Sequence, residues 1–274
     1  MTKDIVYDSW LKSIRENKTS ALATVLQVDS DSYEPSRMFL NEDGEMTDTI
    51  QNDKLVKVIK SKMEEKLNEK NSQSETIEMA LNDGSIINLF IDVYTPPAQI
   101  LIFGAGHDAV PVARYSMSLG FHTTVVDARE GFNNERDFPG AERIIVHPEN
   151  FDKEVAITKN TYVIVMNHHI VKDTISLKYA LESDAPYVGV LGPRSRREKM
   201  MNQLYEENTV FTDSELAKMY NPVGLDIGAD SPEEIAISII SEIIAITKGH
   251  NGGFLHDKNS IHKYTSKYEL PVKN

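Results

Sequence analysis

Gly104-Ala105-Gly106-His107-Asp108-Ala109 follows directly on the apolar run Ile100-Leu101-Ile102-Phe103, and paired glycines in that setting suit the binding of phosphate. A strand must turn sharply into a helix here. Gly104 allows the turn, Gly106 lets a pyrophosphate approach the backbone, and Ala109 lets the helix pack close to the strand. The helix N-terminus then faces the anion with free N–H groups. Asp127 ends the next apolar strand, at a spacing from Gly104 close to the ~20 residues at which an acid accepts hydrogen bonds from a ribose. The same residues also suit plain helix–strand packing with Asp127 as a strand cap. Arg129 can either receive a 2′-phosphate or pair with Asp127, so NAD and NADP both remain open as ligands.

Three more clusters lie downstream. Met166-Asn167-His168-His169 closes a later apolar run, with Asp173 in the helix after it. Ligands of open α/β sheets bind at strand C-termini, and histidine titrates near neutrality, so His168 is a candidate binding residue; the alternative is a pair of exposed loop histidines. Adjacent histidines point in different directions, and no dedicated metal site is expected. The next run ends in Gly192-Pro193-Arg194-Ser195-Arg196-Arg197. Arginine forks there, beside Gly192, suit a phosphate or a phosphorylated cofactor, with Arg194 and Arg196 as the candidates; a solvated first helical turn explains them equally well. Pro222–Ala229 carries Gly224, Asp226 and Gly228, which allow tight backbone packing near a ligand or serve a structural connection.

The elements that must position these groups read as two units. In the first, Trp10, Leu11 and Ile14 have helical spacing, Ala21–Val28 is a β-run, and Leu55, Val58, Ile59, Met63 and Leu67 give an amphipathic helix. Glu75–Leu81 and Ile86–Val93 flank Asn82-Asp83-Gly84-Ser85, whose Asp-Gly favours a hairpin. Thr95-Pro96-Pro97 breaks regular structure. Beyond it, short apolar runs at Gln99–Phe103, Thr123–Val126, Arg143–Val146, Tyr162–Met166 and Tyr187–Leu191 alternate with helical segments, which calls for right-handed crossovers and a parallel sheet. Ser231-Pro232-Glu233-Glu234 is a capping box that opens a helix striped by Ile235, Ile239, Ile243 and Ile246. The expected fold is therefore α/β: a Rossmann-like parallel-sheet domain over 98–249, a smaller α+β N-terminal domain over 1–94, a linker at 95–97 and an irregular tail over 250–274.

Composition narrows the function. The 274 residues include no cysteine, which excludes disulfides, thiolate catalysis and Cys-ligated metal. A charge of −13 repels polyanions, so nucleic acid is not expected as a partner. No segment approaches the ~20 apolar residues of a membrane span, and the acidic start is unlike a signal peptide; a cytoplasmic protein is expected.

Together these segments resemble the XdhC/CoxI family, accessory proteins of xanthine dehydrogenase and related molybdenum hydroxylases. The resemblance rests on FGAGH at Phe103–His107, VVDAR at Val125–Arg129, His168 with Asp173, YVGVLGPR at Tyr187–Arg194, PVGLDIGADSPEEIA at Pro222–Ala236 and GGFL at Gly252–Leu255. It implies an often dimeric protein that handles molybdenum cofactor (molybdopterin) and helps insert it into the hydroxylase, a chaperone with no catalytic residues of its own. It also implies that His107 joins Gly104, Gly106, Asp127, Arg129, His168, Gly192, Arg194, Arg196 and Asp226 in cofactor binding. The opening segment Ser32-Tyr33, Pro35 and Asp43-Gly44 matches the family as well. Where the family's Gly-Gly-Cys-x-Glu would follow, this chain has Asp48-Thr49-Ile50-Gln51-Asn52-Asp53-Lys54, without the glycines and without the thiol, the natural soft ligand for molybdenum. An NAD(P)-dependent oxidoreductase and a non-catalytic nucleotide sensor are the alternatives that the glycine motif leaves open.

Overall fold

The computed structural model describes residues 4–28, 36–69, 72–80 and 86–257. Its first unit is a five-stranded antiparallel sheet in the order β3-β2-β1-β5-β4, built from β1 (Ser20–Val28), β2 (Arg37–Asn41), β3 (Met46–Asp48), β4 (Glu75–Ala80) and β5 (Ile86–Tyr94). Period-two alternation sends Ala21, Ala23 and Val25 to one face, where α2 (Asp53–Asn68) packs Leu55, Ile59 and Met63 against them. Leu22 and Phe39 point to the other face and meet Val6 and Trp10 of α1 (Ile5–Arg15). β4 and β5 pair antiparallel as the sequence implies. The expected turn at 82–85 and the family-like segment at 32–35 lie outside the described residues. The run at 48–54 that replaces the glycine-cysteine motif ends β3 and starts α2, with Asn52 as the N-cap.

The second unit is a six-stranded parallel sheet in the order β11-β10-β9-β6-β7-β8. Its strands are β6 (Gln99–Phe103), β7 (His122–Val126), β8 (Glu142–Ile144), β9 (Thr161–Val165), β10 (Tyr187–Val190) and β11 (Met219–Tyr220). The crossovers carry α3 (Ala109–Ser118), the short α4 (Phe151–Glu154), α5 (Ile170–Leu181), α6 (Arg194–Glu206) and α7 (Asp213–Ala217), and α8 (Pro232–Thr247) follows β11. Ile100, Ile102, Val125 and Ile164 face α3 and α8, whereas Leu101, Phe103, Val163 and Val165 face α5 and α6. Both faces are thus covered, and the central strands β6, β9 and β10 are almost continuously buried for that reason.

The chain builds outward from β6 to β7 and β8, then returns to place β9 on the other side of β6. This is the doubly wound dinucleotide-fold order, and its switch point lies between the C-terminal ends of β6 and β9. β2, β3, β11, α4 and α7 are additions to the elements read from the sequence. After α8 the chain is irregular to Phe254 and forms one 3₁₀ turn at Leu255–Asp257. No helix of the described residues is long and apolar enough to cross a membrane.

Candidate functional site

The turn after β6 and the turn after β9 form the two lips of the switch point. Gly104 has φ +112°, and a Cβ on it would stand 2.6 Å from the Met166 carbonyl oxygen and 2.7 Å from Asn167 Cα. It is glycine both for its left-handed backbone and because the second lip abuts it. Gly106 is different: a Cβ there would meet only the edge of the His168 ring, at 3.5 Å. Ala109 is fully buried against the sheet, as the motif requires. His107 is exposed and lies near the loop that carries Asp137.

Each lip is tied down by a buried aspartate. Asp127, 4% exposed, accepts the Ala105 N–H at 2.9 Å, the Arg129 N–H at 3.0 Å, and the Arg129 guanidinium at 3.0 and 2.6 Å. Burial opposes ionisation, but the Arg129 side chain and the two N–H donors outweigh it and hold the carboxyl below its ordinary value. Arg129 therefore pairs with Asp127, and both carboxylate oxygens are engaged within the protein. The guanidinium also lies over the Phe132 ring, 4.3 Å from its centroid. Asp173, 1% exposed, accepts the Asn167 N–H at 2.9 Å and the Asn167 side-chain amide at 3.1 Å. Its other oxygen is gripped by Arg196 through Nε and Nη2.

The arginine cluster thereby divides. Arg196 is held against Asp173, and its Cδ would lie 2.9 Å from a Cβ on Gly192, whose φ is +116°. Arg194 is exposed and has no side-chain partner among the described residues. Gly192 is fixed from the other side by Asn221, whose amide donates to the carbonyls of Val190 and Gly192. The Pro222–Ala229 loop is lashed to α8: the Gly224 N–H and the buried Tyr187 hydroxyl both donate to Glu242, at 3.0 and 2.7 Å. Asp226 is exposed, and no hydrogen bond or ion pair joins it to the glycine turn.

His168 is brought to the site in an uncommon backbone state, φ +57°. Its Nε2 lies 3.1 Å from the Asp108 carboxylate, across the crevice.

The electrostatic character of the site comes from its helices. α1, α2, α7 and α8 each have a side-chain N-cap, from Asp4, Asn52, Thr212 and Ser231. α3, α5 and α6 start at Asp108, His169 and Pro193 without a side-chain cap bond. The short α4 lacks one too, but α3, α5 and α6 follow the adjacent strands β6, β9 and β10, so three positive dipole ends share one edge of the sheet; the Ala109 and Val110 N–H groups of α3 and the Arg196 N–H of α6 already donate to the carbonyls of Gly106, His107 and Pro193. Asp108, Asn167 and Asn221 escape sequence reading; only Asp108, inside the glycine motif, had a signal to follow. A second cavity, about 780 Å³, lies at the opposite ends of the strands, lined by Pro96, Pro97, Phe121, Tyr162, Tyr220 and Ile246. Among the described residues no group of three His, Asp or Glu side chains can hold a metal ion.

Residues 100–243 match the family model described as the XdhC Rossmann domain. A relative from Bacillus subtilis (strain 168), named as a probable subunit of xanthine dehydrogenase, is 32% identical over 162 residues, covering 59% of this chain and 46% of its own length. YqeB of Escherichia coli (strain K12), described as uncharacterized, is 26% identical over 265 residues, covering 91% of this chain and 48% of its own. The chain thus spans about half the length of these two relatives. A solved structure named a xanthine dehydrogenase, from Bacillus halodurans, superposes with a TM-score of 0.51 at 22% identity, covering 89% of this chain and 96% of that one, and supports the fold.

Proposed function

The chain belongs to the XdhC Rossmann-domain family, and from that premise we propose that it is an accessory protein of a xanthine dehydrogenase-type molybdenum hydroxylase, binding the phosphate-bearing part of molybdenum cofactor at the switch point. The observation that carries this reading is the convergence of three helix N-termini without side-chain caps, α3, α5 and α6, on the edge that holds the glycine turn.

The residues fit the phosphate part of the cofactor. Gly106 has only the movable edge of the His168 ring over it, the starts of α3, α5 and α6 point to the same edge, and Arg194 is a cation with no side-chain partner among the described residues. They do not fit the metal, since the chain has no cysteine and the described residues gather no ligand set. When bound, the cofactor supplies the oxygen-transfer and electron chemistry of the hydroxylase. This chain's own groups bind and orient, and none is placed as a nucleophile or a general acid. The name of the Bacillus subtilis relative supports association with a xanthine dehydrogenase.

An NAD(P)-dependent oxidoreductase is disfavoured by Asp127. The acid that would receive the ribose hydroxyls already accepts four hydrogen bonds from Ala105 and Arg129, and freeing it would cost a buried ion pair.

Calorimetric titration of the full chain with molybdenum cofactor, NAD, NADP and FAD tests the reading. Cofactor binding that Gly106→Val abolishes is expected, with weaker or no binding of the nicotinamides. Tight NAD(P) binding, with sustained reduction in the presence of an alcohol or hydroxy acid, would replace the accessory reading with the oxidoreductase.

A further inference from the structure

The crevice between the two lips is crossed by the contact of the His168 Nε2 with the Asp108 carboxylate, and we propose that this pair is a latch that keeps the phosphate position over Gly106 closed until an anion displaces it. The inference rests on the phosphate-site reading above and adds its control.

Three observations meet at the pair. Asp108 holds the N-cap position of α3, where a carboxylate ordinarily accepts N–H groups of its own helix. Its backbone is instead already helical, at φ −70° and ψ −22°, and its side chain makes no cap bond; it reaches the His168 Nε2 at 3.1 Å. His168 is held at φ +57°, a region a non-glycine residue enters only when its surroundings impose it. That conformation lays the ring edge over Gly106, 3.5 Å from where a Cβ would stand. The space a glycine keeps clear for phosphate is therefore filled by an imidazole, and the Asp108 carboxylate stands in contact with that ring.

An anion arriving at the turn meets the like charge of Asp108 and a ring in its place. Once the ring swings out, its nitrogen is free to donate to the anion. The side chains can make that movement, being 52% and 29% exposed, while the backbone beneath them is fixed by Asp127 and Asp173, each with only 2% of its side chain exposed. The other charges nearby leave the latch in control. The Asp127–Arg129 and Asp173–Arg196 pairs are each neutralised internally. His107 and His169 have no hydrogen-bond or ion-pair partner among the described residues.

The test uses the full chain with inorganic pyrophosphate as the probe, read by calorimetry. Asp108→Asn keeps the size of the side chain and removes the charge, and it should bind pyrophosphate roughly ten-fold tighter than the wild type, the scale of one like-charge contact at a half-exposed site. His168→Gln, which removes both the contact and the ring, should also bind pyrophosphate more tightly than the wild type, and equal or weaker binding overturns the latch. A second measurement needs no ligand: diethyl pyrocarbonate should modify His168 several-fold faster in Asp108→Asn, with His107 and His169 as references in the same peptide map. Equal pyrophosphate affinity in wild type and Asp108→Asn, or an unchanged modification rate, overturns the latch and leaves the phosphate site standing. Failure of both proteins to bind pyrophosphate at millimolar concentration overturns the phosphate site and the latch with it.

Discussion

Asp127 and Asp173 occupy matching positions on the two sides of the switch point. Each is buried, each accepts a backbone N–H from the turn that ends a central strand (Ala105 after β6, Asn167 after β9), and each is gripped by an arginine. Two charged side chains thus fix the lips of the crevice, where side-chain caps fix the starts of α1, α2, α7 and α8. The turns before α3 and α5 are held from below, and the positive ends of these helices stay directed at the crevice.

Removing the arginine of one pair should expose how much that arrangement stabilises. Arg129→Ala leaves the Asp127 carboxylate buried with two N–H donors and no countercharge. The expected loss in unfolding free energy is about 2 kcal/mol, below the range for a fully buried pair because the guanidinium is 39% exposed and those donors remain. Urea denaturation followed by circular dichroism measures it, and a loss below about 1 kcal/mol would show the pair to be no stronger than a surface contact.

Acid should weaken the same clamp. The folded-state pKa of Asp127 lies below its ordinary 3.8, so its contribution is fully present above that value and is lost as pH falls through 3.8 toward the folded value. Melting temperature should therefore fall less steeply between about pH 5 and pH 3 in Asp127→Asn than in the wild type. Parallel curves would assign the acid loss to other carboxylates.

The two motif glycines should respond differently to alanine. Gly104→Ala places a methyl 2.6 Å from the Met166 carbonyl in a left-handed backbone, and a destabilisation of about 2 kcal/mol or more is expected. Gly106→Ala meets only ordinary contact with His168 and should fold with near-native stability. Thermal melts of both variants separate the structural glycine from the one that serves a ligand.

Glu242 ties the Pro222–Ala229 loop to the sheet. Glu242→Leu leaves the buried Tyr187 hydroxyl and the Gly224 N–H without their acceptor, an expected cost of about 2–3 kcal/mol. Tyr187→Phe loses one hydrogen bond, an expected cost of about 1 kcal/mol. Equal costs for the two would show that the Gly224 contact adds nothing.

The parallel half of the fold was legible in the sequence because its central strands β6, β9 and β10 are apolar on both faces and each is followed by a helix, and the glycine turn announced its own place. β2 was not legible: Met38, Phe39 and Leu40 are buried on both sides of a short strand, so no alternation marks it. β11 has only two residues and exists through its pairing with β10. At the site, side-chain identity was readable and partnership was not. Arg194 and Arg196 look alike in the chain, yet one faces solvent and the other meets an aspartate 23 positions away. Arg129 showed its two options openly, and only the packed structure selects Asp127. Asp108 stood in the glycine motif with no role of its own, and its contact with His168 depends on two strands that are neighbours in space and not in sequence.

The central claim, a phosphate-bearing cofactor held at the switch point, is tested most directly by titrating ¹⁵N-labelled full chain with molybdenum cofactor and following the backbone amides. The account predicts perturbations concentrated at Ala105–Ala109, Asn167–Ile170 and Arg194–Arg196, the starts of α3, α5 and α6 at the switch-point edge. Perturbations confined to the cavity at the opposite ends of the strands, around Pro97, Tyr220 and Ile246, or none at saturating cofactor, would contradict it.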